Sequence, residues 1–265
     1  MGNQMFQYAF AYLAAKKIKT SFLLDTNWLP LDLVYFNLKF PYCLLHNKFI
    51  FKVYNFLQKK VKFEHVVENM DCTVDISEMP WTNNTDYIGF FQEGSYYKQH
   101  KSELQKLFTV RRKYERNFFN KYGSILDNQR CIVVSVRLGD YRKFTLREYN
   151  NANMLLPLDW YREQLAKFDL DNYTLFFISD ELDTVKNELS FPDKKVIYVE
   201  DSVINQFQLL LHADVCIISN STFAWWGAFL NYKNNATIIA PNYFVGYWVK
   251  KEYPNGIQNV DFNWV

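Results

Sequence analysis

A chain of 265 residues can bury one large core or two modest ones, and 49% apolar residues, with 24 Phe and 19 Tyr, supply the material to fill them. Only 8 Gly and 7 Pro exclude a collagen-like or linker-like polymer. With 30 basic and 28 acidic residues the net charge is +2, too weak a field to gather nucleic acid or an acidic membrane non-specifically.

The 4 cysteines, Cys43, Cys72, Cys131 and Cys216, have no close pair and no metal-ligand spacing. Structural zinc is therefore not expected, and the pattern fits a reducing, cytoplasmic compartment. No apolar run reaches the roughly 18 residues of a membrane-spanning helix. The first residues lack the order of a signal peptide, so the Asn-x-Ser/Thr sequons at Asn83, Asn172, Asn220 and Asn235 read as chance.

In chain order, MGNQMFQYAFAYLAAKK (1–17) suits a helix and TSFLLD (20–25) a strand. The aromatic and basic stretch 31–70 has no clear period. Its Phe and Tyr with Lys48, Lys52, Lys59 and Lys60 read as a packed helix pair, with contact to a bilayer surface as the alternative. Alternation at DYIGF (86–90) predicts a strand, and 95–108 a helix. The charged, turn-rich stretch 110–128 predicts a boundary between an amino-terminal domain, 1–120, and a carboxyl-terminal one, 121–265. The basic cluster Arg111–Lys113 with Arg116 reads as a solvated helix face.

Beyond that boundary the rhythm is regular. Apolar, β-branched runs at CIVVSV (131–136), YTLFFIS (173–179), KVIYV (195–199), VCIIS (215–219) and TIIAP (237–241) alternate with helical periods at 158–168, 181–189 and 203–213. Continuous apolar strands separated by helices predict a parallel sheet covered on both faces.

Ligands of such sheets gather at the carboxyl ends of strands. Three ends carry polar residues: Arg137, Gly139 and Asp140; Ser179 and Asp180; and Ser219, Asn220, Ser221 and Thr222. The last group stands before FAWWGAFL, where Ser and Thr cap a helix and its first N–H groups form an anion site that Arg137 would complete for a diphosphate. Singly, each has a structural reading: Ser221 or Thr222 as a cap, Arg137 paired to Asp140 or Asp180, Gly227 as a close-packing site, Phe223 and Trp226 as core. Jointly, at three ends of one sheet, they favour a ligand site. No P-loop and no G-x-G-x-x-G is present, and Asp169–Asp171 (DLD) lies at the wrong end of the sheet, where it reads as a turn.

GNQMFQYAFAYLAAKK, GFFQEGSYY (89–97), SVRLGDY (135–141), FFISDELDTVKNEL, SNSTFAWWGAFLN (219–231) and IIAPNYF resemble, in this order, the motifs of bacterial α-1,2-fucosyltransferases of glycosyltransferase family 11. The resemblance runs nearly end to end. It implies an α/β fold of GT-B type, two Rossmann-like halves, with GDP-fucose held mainly by the second. It also implies inverting, metal-independent transfer to the 2-hydroxyl of an acceptor sugar, commonly a galactose, in an oligosaccharide or lipid-linked glycan of surface polysaccharide such as O-antigen. No metal or other cofactor is expected beyond the donor. Carried over, Arg137 would neutralise the leaving diphosphate with Asn220, Ser221 and Thr222, while Phe223, Ser179 and Asp180 would lie at the nucleotide. Gly2, Asn3 and Gln4 would line the donor cleft from the first half, and Asp140 or Glu93 would be the base.

Three positions depart from the family pattern. The strand and glycine-rich turn that normally precede GNQ are not in this sequence, so the first half is expected to lack its initial strand. Ser135 stands where the family usually has His, before a single arginine rather than two. Gln206 stands where an acid usually meets guanine. A different nucleotide-sugar donor, or a glycan-binding protein without turnover, are the alternatives.

Overall fold

The computed structural model describes residues 1–25, 32–39, 42, 45, 47–70, 74–143, 145–146 and 152–265. Cys43 and Cys72, and parts of the stretch 31–70, lie outside the described residues. The chain divides into two compact units, Met1–Arg111 with Pro254–Asn259, and Arg112–Tyr253 with Val260–Val265.

In the first unit, helix α1 (Gly2–Lys17) buries Met5, Phe6, Tyr8, Ala9 and Phe10 almost completely, because apolar residues fall on nearly all its sides. Helix α2 (Lys48–Gln58) starts at Asn47, whose side chain accepts from Phe49 and Ile50 N–H. Strands β1 (His65–Asn69) and β2 (Thr85–Gly89) pair in parallel, and a Cβ on Gly89 would meet the Asn69 carbonyl at 2.6 Å. Phe10 stacks on Phe91 with ring centroids 3.8 Å apart.

Two expectations change here. TSFLLD joins no ladder among the described residues: the Tyr54 hydroxyl takes both the N–H and the carbonyl of Leu24, the Tyr42 hydroxyl donates to the Phe22 carbonyl, and residues 20–25 line a cavity of about 1620 Å³ together with α1 and β2. Among the described residues this unit therefore holds two strands. The predicted helix 95–108 is two, α3 (Gly94–Lys98) and α4 (Lys101–Leu107), because His100 takes a non-helical backbone and its N–H closes onto Tyr97.

The second unit opens with helix α5 (Arg112–Asn128), which occupies the stretch read as a boundary. Arg112, Lys113 and Arg116 are exposed, as a solvated face requires, whereas Arg111 instead donates to the Val34 carbonyl within the first unit. There follow β3 (Arg130–Val136), the short antiparallel pair β4 (Thr145–Leu146) and β5 (Ala152–Asn153), and α6 (Leu158–Leu165). Next come β6 (Tyr173–Ser179), α7 (Leu182–Glu188), β7 (Val196–Tyr198) and α8 (Val203–His212). The chain ends with β8 (Val215–Ile218), α9 (Thr222–Phe229), β9 (Thr237–Ala240) and β10 (Asn263–Trp264).

Six of these strands form one parallel sheet in the order β10-β9-β8-β3-β6-β7. The apolar runs divide strictly by parity. Cys131, Val133, Phe176, Ile178, Cys216 and Ile218 pack towards α5 and α8, while Ile132, Val134, Leu175, Phe177, Val215 and Ile217 pack towards α6 and α7. Both faces are dry, which is why these strands show no alternation in sequence.

Helices α8 and α9 approach closely because position 227 has no side chain: a Cβ there would lie 2.7 Å from both Cβ and Cδ1 of Leu210. In Gly227→Ala, overpacking costs about 1–3 kcal/mol against about 1 kcal/mol of helix propensity gained. A net fall in Tm by calorimetry is expected; an unchanged or higher Tm contradicts the packing role. His212, at the end of α8, is enclosed by Phe118, Phe119 and Tyr232. Burial, with a smaller contribution from Lys233, pushes its pKa down to about 4. The unfolded imidazole, with an ordinary pKa of about 6.5, then binds the proton more strongly than the folded one. Stability is therefore expected to fall as pH drops from about 6.5 towards 4, by about 3 kcal/mol at most. Urea titrations across that range should show the slope in the wild type and a flatter one in His212→Phe.

Candidate functional site

Strand register brings the three polar ends to one edge of the sheet. Ser135 is opposite Ile218 and Val136 opposite Ser179, and Ser219 N–H donates to the Ser135 carbonyl at 2.9 Å. Arg137 and Asp180 are thus the first residues past the ladder on two adjacent strands, and Asn220 is the second past it on the third.

The Arg137 Nε lies 2.9 Å from Asp140 Oδ1 and 3.3 Å from Asp180 Oδ2. Burial opposes the charge, but the Asp140 hydrogen bond and both carboxylates raise the Arg137 pKa above its ordinary value. The guanidinium sits 5.7 Å from the Tyr141 ring centroid, and the Tyr141 hydroxyl donates to the Asn220 carbonyl at 3.0 Å. Tyr141 thus ties the arginine loop to the loop before α9. Asp180 fixes the same loop from the other side: its Oδ1 accepts the Leu138 N–H at 3.0 Å, and a Cβ on Gly139 would press to 2.7 Å of its Oδ2. Arg142 adds a second tie, with Nε and Nη2 at 3.2 and 3.0 Å from Glu181 Oε2.

Three buried polar atoms lie beside these loops, Ser219 Oγ, Asn220 Oδ1 and the Tyr161 hydroxyl, and none makes a hydrogen bond of good geometry. Buried polar atoms left short of partners are rare in folded proteins, and a bound ion or water is one way of satisfying them. Tyr161 lies against the Ser219 hydroxyl and the Arg137 backbone, where burial raises its pKa. Asn220 is itself pinned, with its Nδ2 donating to the Met154 carbonyl at 2.7 Å.

Helix α9 begins at Ser221, whose backbone is extended and whose carbonyl accepts from Trp225 N–H at 2.8 Å. Contrary to the capping expected of it, the Ser221 hydroxyl makes no capping hydrogen bond. The Ser221 side chain therefore does not close over the first turn of α9, and the amino end of a helix is suited to an anion.

Other expected site residues also make contacts within the fold. The Ser179 hydroxyl accepts the Glu181 N–H, starting the turn into α7. Phe223 packs on Phe207 of α8, with ring centroids 5.5 Å apart. Glu93 is 9% exposed; one of its carboxylate oxygens accepts Ile76 N–H at 2.7 Å and the other the Ser95 hydroxyl. Asp140 remains accessible, with its side chain 42% exposed. Ser135 lies inside the ladder, and Gln206 donates to the Asp201 carbonyl at 3.2 Å.

Gly2, Asn3 and Gln4 belong to the first unit, in the first turn of α1. Gly2 is buried, Asn3 Oδ1 accepts from Gln92 at 3.0 Å, and Gln4 Oε1 accepts the Asp32 N–H at 3.1 Å. Tyr141 and Tyr161 were given no role from sequence. Tyr141 stood within SVRLGDY and Tyr161 within a helix whose period marks it as core, so only the second lacked a local signal. Among the described residues, no three His, Cys, Asp or Glu gather where they could hold a metal. Asp169–Asp171 forms a turn in which Asp171 pairs with Lys194 at 2.7 Å.

The sequence profile described as Glycosyl transferase family 11 matches residues 1–255. The chain belongs to glycosyl transferase family 11. It is 26% identical to an alpha-1,2-colitosyltransferase of Escherichia coli over 288 aligned residues, covering 100% of this chain and 95% of that protein. It is 24% identical to the O-antigen biosynthesis glycosyltransferase WbnK of Escherichia coli, covering 93% of each. Among solved structures it resembles POFUT1 in complex with GDP-fucose, at a TM-score of 0.51 and 12% identity over 91% of this chain and 94% of that one. The NodZ alpha-1,6-fucosyltransferase soaked with GDP-fucose gives 0.50 and 12% identity over 87% and 89%. These neighbours share the GT-B-like α/β fold with this family 11 chain, which is a glycosyltransferase, moving a sugar from a nucleotide sugar to a glycan acceptor.

If Asp180 holds the arginine loop through Leu138 as well as through charge, Asp180→Ala should lose about 1.5–3 kcal/mol of stability. Asp180→Asn, which keeps an acceptor for Leu138, should lose less. Denaturant unfolding of both variants checks this, and equal losses contradict it.

Proposed function

We propose that the chain is an inverting transferase that moves fucose from GDP-fucose to the 2-hydroxyl of a galactose-type acceptor during O-antigen synthesis, on the cytoplasmic side of the membrane. The observation that carries this reading is Arg137, held between Asp140 and Asp180 and joined through Tyr141 to the loop that starts α9. Membership of family 11 and the O-antigen relative support it. No helix among the described residues is long and apolar enough to cross a membrane, so a lipid-linked glycan would be met at the surface.

In this mechanism the bond between the fucosyl anomeric carbon and the β-phosphate oxygen breaks, and its electron pair leaves with GDP. The Arg137 guanidinium and the main-chain dipoles at the amino end of α9 stabilise that negative charge, which grows towards the transition state and is therefore where fixed donors accelerate most. The acceptor 2-hydroxyl forms the new bond on the opposite face, inverting the centre. Its proton passes to Asp140, whose Oδ1 accepts from Arg137 and whose side chain stays accessible. No metal takes part, because the leaving charge is met by this guanidinium and by main-chain dipoles.

A second reading keeps the site and changes the sugar. The relative named as a colitosyltransferase aligns with the whole chain, and Gln206 and Ser135 depart from the usual pattern. Transfer assays with GDP-fucose and a colitosyl donor on galactosyl acceptors, with product linkage assigned by NMR, separate the two. A GDP-fucose preference above about tenfold, roughly 1.4 kcal/mol, is expected. Arg137→Ala should lower kcat by about 100-fold or more. Acceptor binding with no transfer from any donor, or full activity in Arg137→Ala, would overturn the reading.

A further inference from the structure

Helix α2 turns an apolar face to solvent. Phe49, Val53, Phe56 and Leu57 are 73%, 41%, 60% and 56% exposed. At about 100° per residue they form one continuous arc. The opposite side of the helix is anchored: the Tyr54 hydroxyl donates to the Leu24 carbonyl at 3.0 Å and accepts the Leu24 N–H at 3.1 Å, and Gln58 donates to the same carbonyl. The exposed arc is therefore held outward rather than left over from a loose helix.

The charges around the arc say what covers it. Residues 47–63, NKFIFKVYNFLQKKVKF, contain Lys48, Lys52, Lys59, Lys60 and Lys62 and no acidic residue. All of these lysines are exposed. Lys48, Lys52 and Lys59 flank the arc along one side, and the Lys60 ammonium lies 4.4 Å from the Phe56 ring centroid. A second copy of the chain laid on this face would set lysines against lysines with no counter-charge, which disfavours self-association. A surface of closely spaced phosphates beside an apolar layer complements both features at once.

We propose that the exposed face of α2 docks the protein on an anionic bilayer surface, with Phe49 and Phe56 at the headgroup boundary and the lysines on lipid phosphates. Each lysine brought near such a surface is worth about a fivefold gain in partition, which lets a patch act where the net charge of +2 cannot. The inference does not depend on the reaction proposed above, because binding is read without donor or acceptor.

The test is co-sedimentation of the full chain with vesicles of phosphatidylglycerol and phosphatidylethanolamine, against vesicles of phosphatidylcholine. The wild type should bind the anionic vesicles, more weakly as salt rises, and bind phosphatidylcholine at least about tenfold less. Phe49→Ser with Phe56→Ser, and separately Lys52→Glu with Lys59→Glu, should each reduce binding by about tenfold or more. The charge pair touches only exposed side chains, so it reads the surface even if the Phe pair disturbs folding. Equal binding to both lipids, or wild-type binding by the charge pair, overturns the proposal. So does a chain that ignores vesicles but forms dimers lost in the Phe pair, which assigns the face to a second copy.

Discussion

Asp180 accepts the Leu138 N–H with one oxygen and faces the Arg137 guanidinium with the other, at 3.0 and 3.3 Å. Everything at the candidate site depends on that carboxylate. It stands at the end of β6, next to β3 in a ladder whose both faces are dry, so its position is set by the core rather than by the loop it holds. A flexible cation is thereby turned into a fixed one. The gain is in preorganisation: charge stabilisation at a transition state is largest when the donors need not move to provide it.

The other half of the anion site is main chain. Ser219 continues the β8 ladder onto Ser135, Asn220 is pinned through Met154, and Ser221 starts α9 without closing its first turn. Gly227 lets α9 settle against Leu210, so a backbone requirement deep in the core fixes where those N–H groups lie. The paired tryptophans belong to the same arrangement. Trp225 and Trp226 are fully buried, and their bulk locks the helix whose first turn carries the polar residues.

The second unit was legible in sequence because parallel strands covered on both faces are written as unbroken apolar runs. CIVVSV, YTLFFIS and VCIIS leave little else to choose. Arg137, Asp180 and Asn220 followed from their places just past those runs. The first unit was less legible: TSFLLD has strand chemistry, but pairing depends on a neighbour that no local pattern encodes. The contacts of single side chains are illegible for the same reason. Ser179, Phe223 and Glu93 have residue types suited to a site, and the fold adds a turn, a ring contact and a backbone N–H that no local pattern encodes. Tyr161 lies in a core-facing helical period, and its hydroxyl becomes notable only beside Ser219 and the Arg137 backbone.

The central claim is that Arg137 and the turn before α9 together hold a diphosphate. Calorimetric titration of GDP and of guanosine into the wild type and Arg137→Ala tests it most directly. The account predicts that the substitution weakens GDP by about 10-fold to 100-fold, the worth of a charge-assisted contact of roughly 1.5–3 kcal/mol, and leaves guanosine unchanged. Equal GDP affinity in the two proteins, or a parallel loss for guanosine, would contradict it.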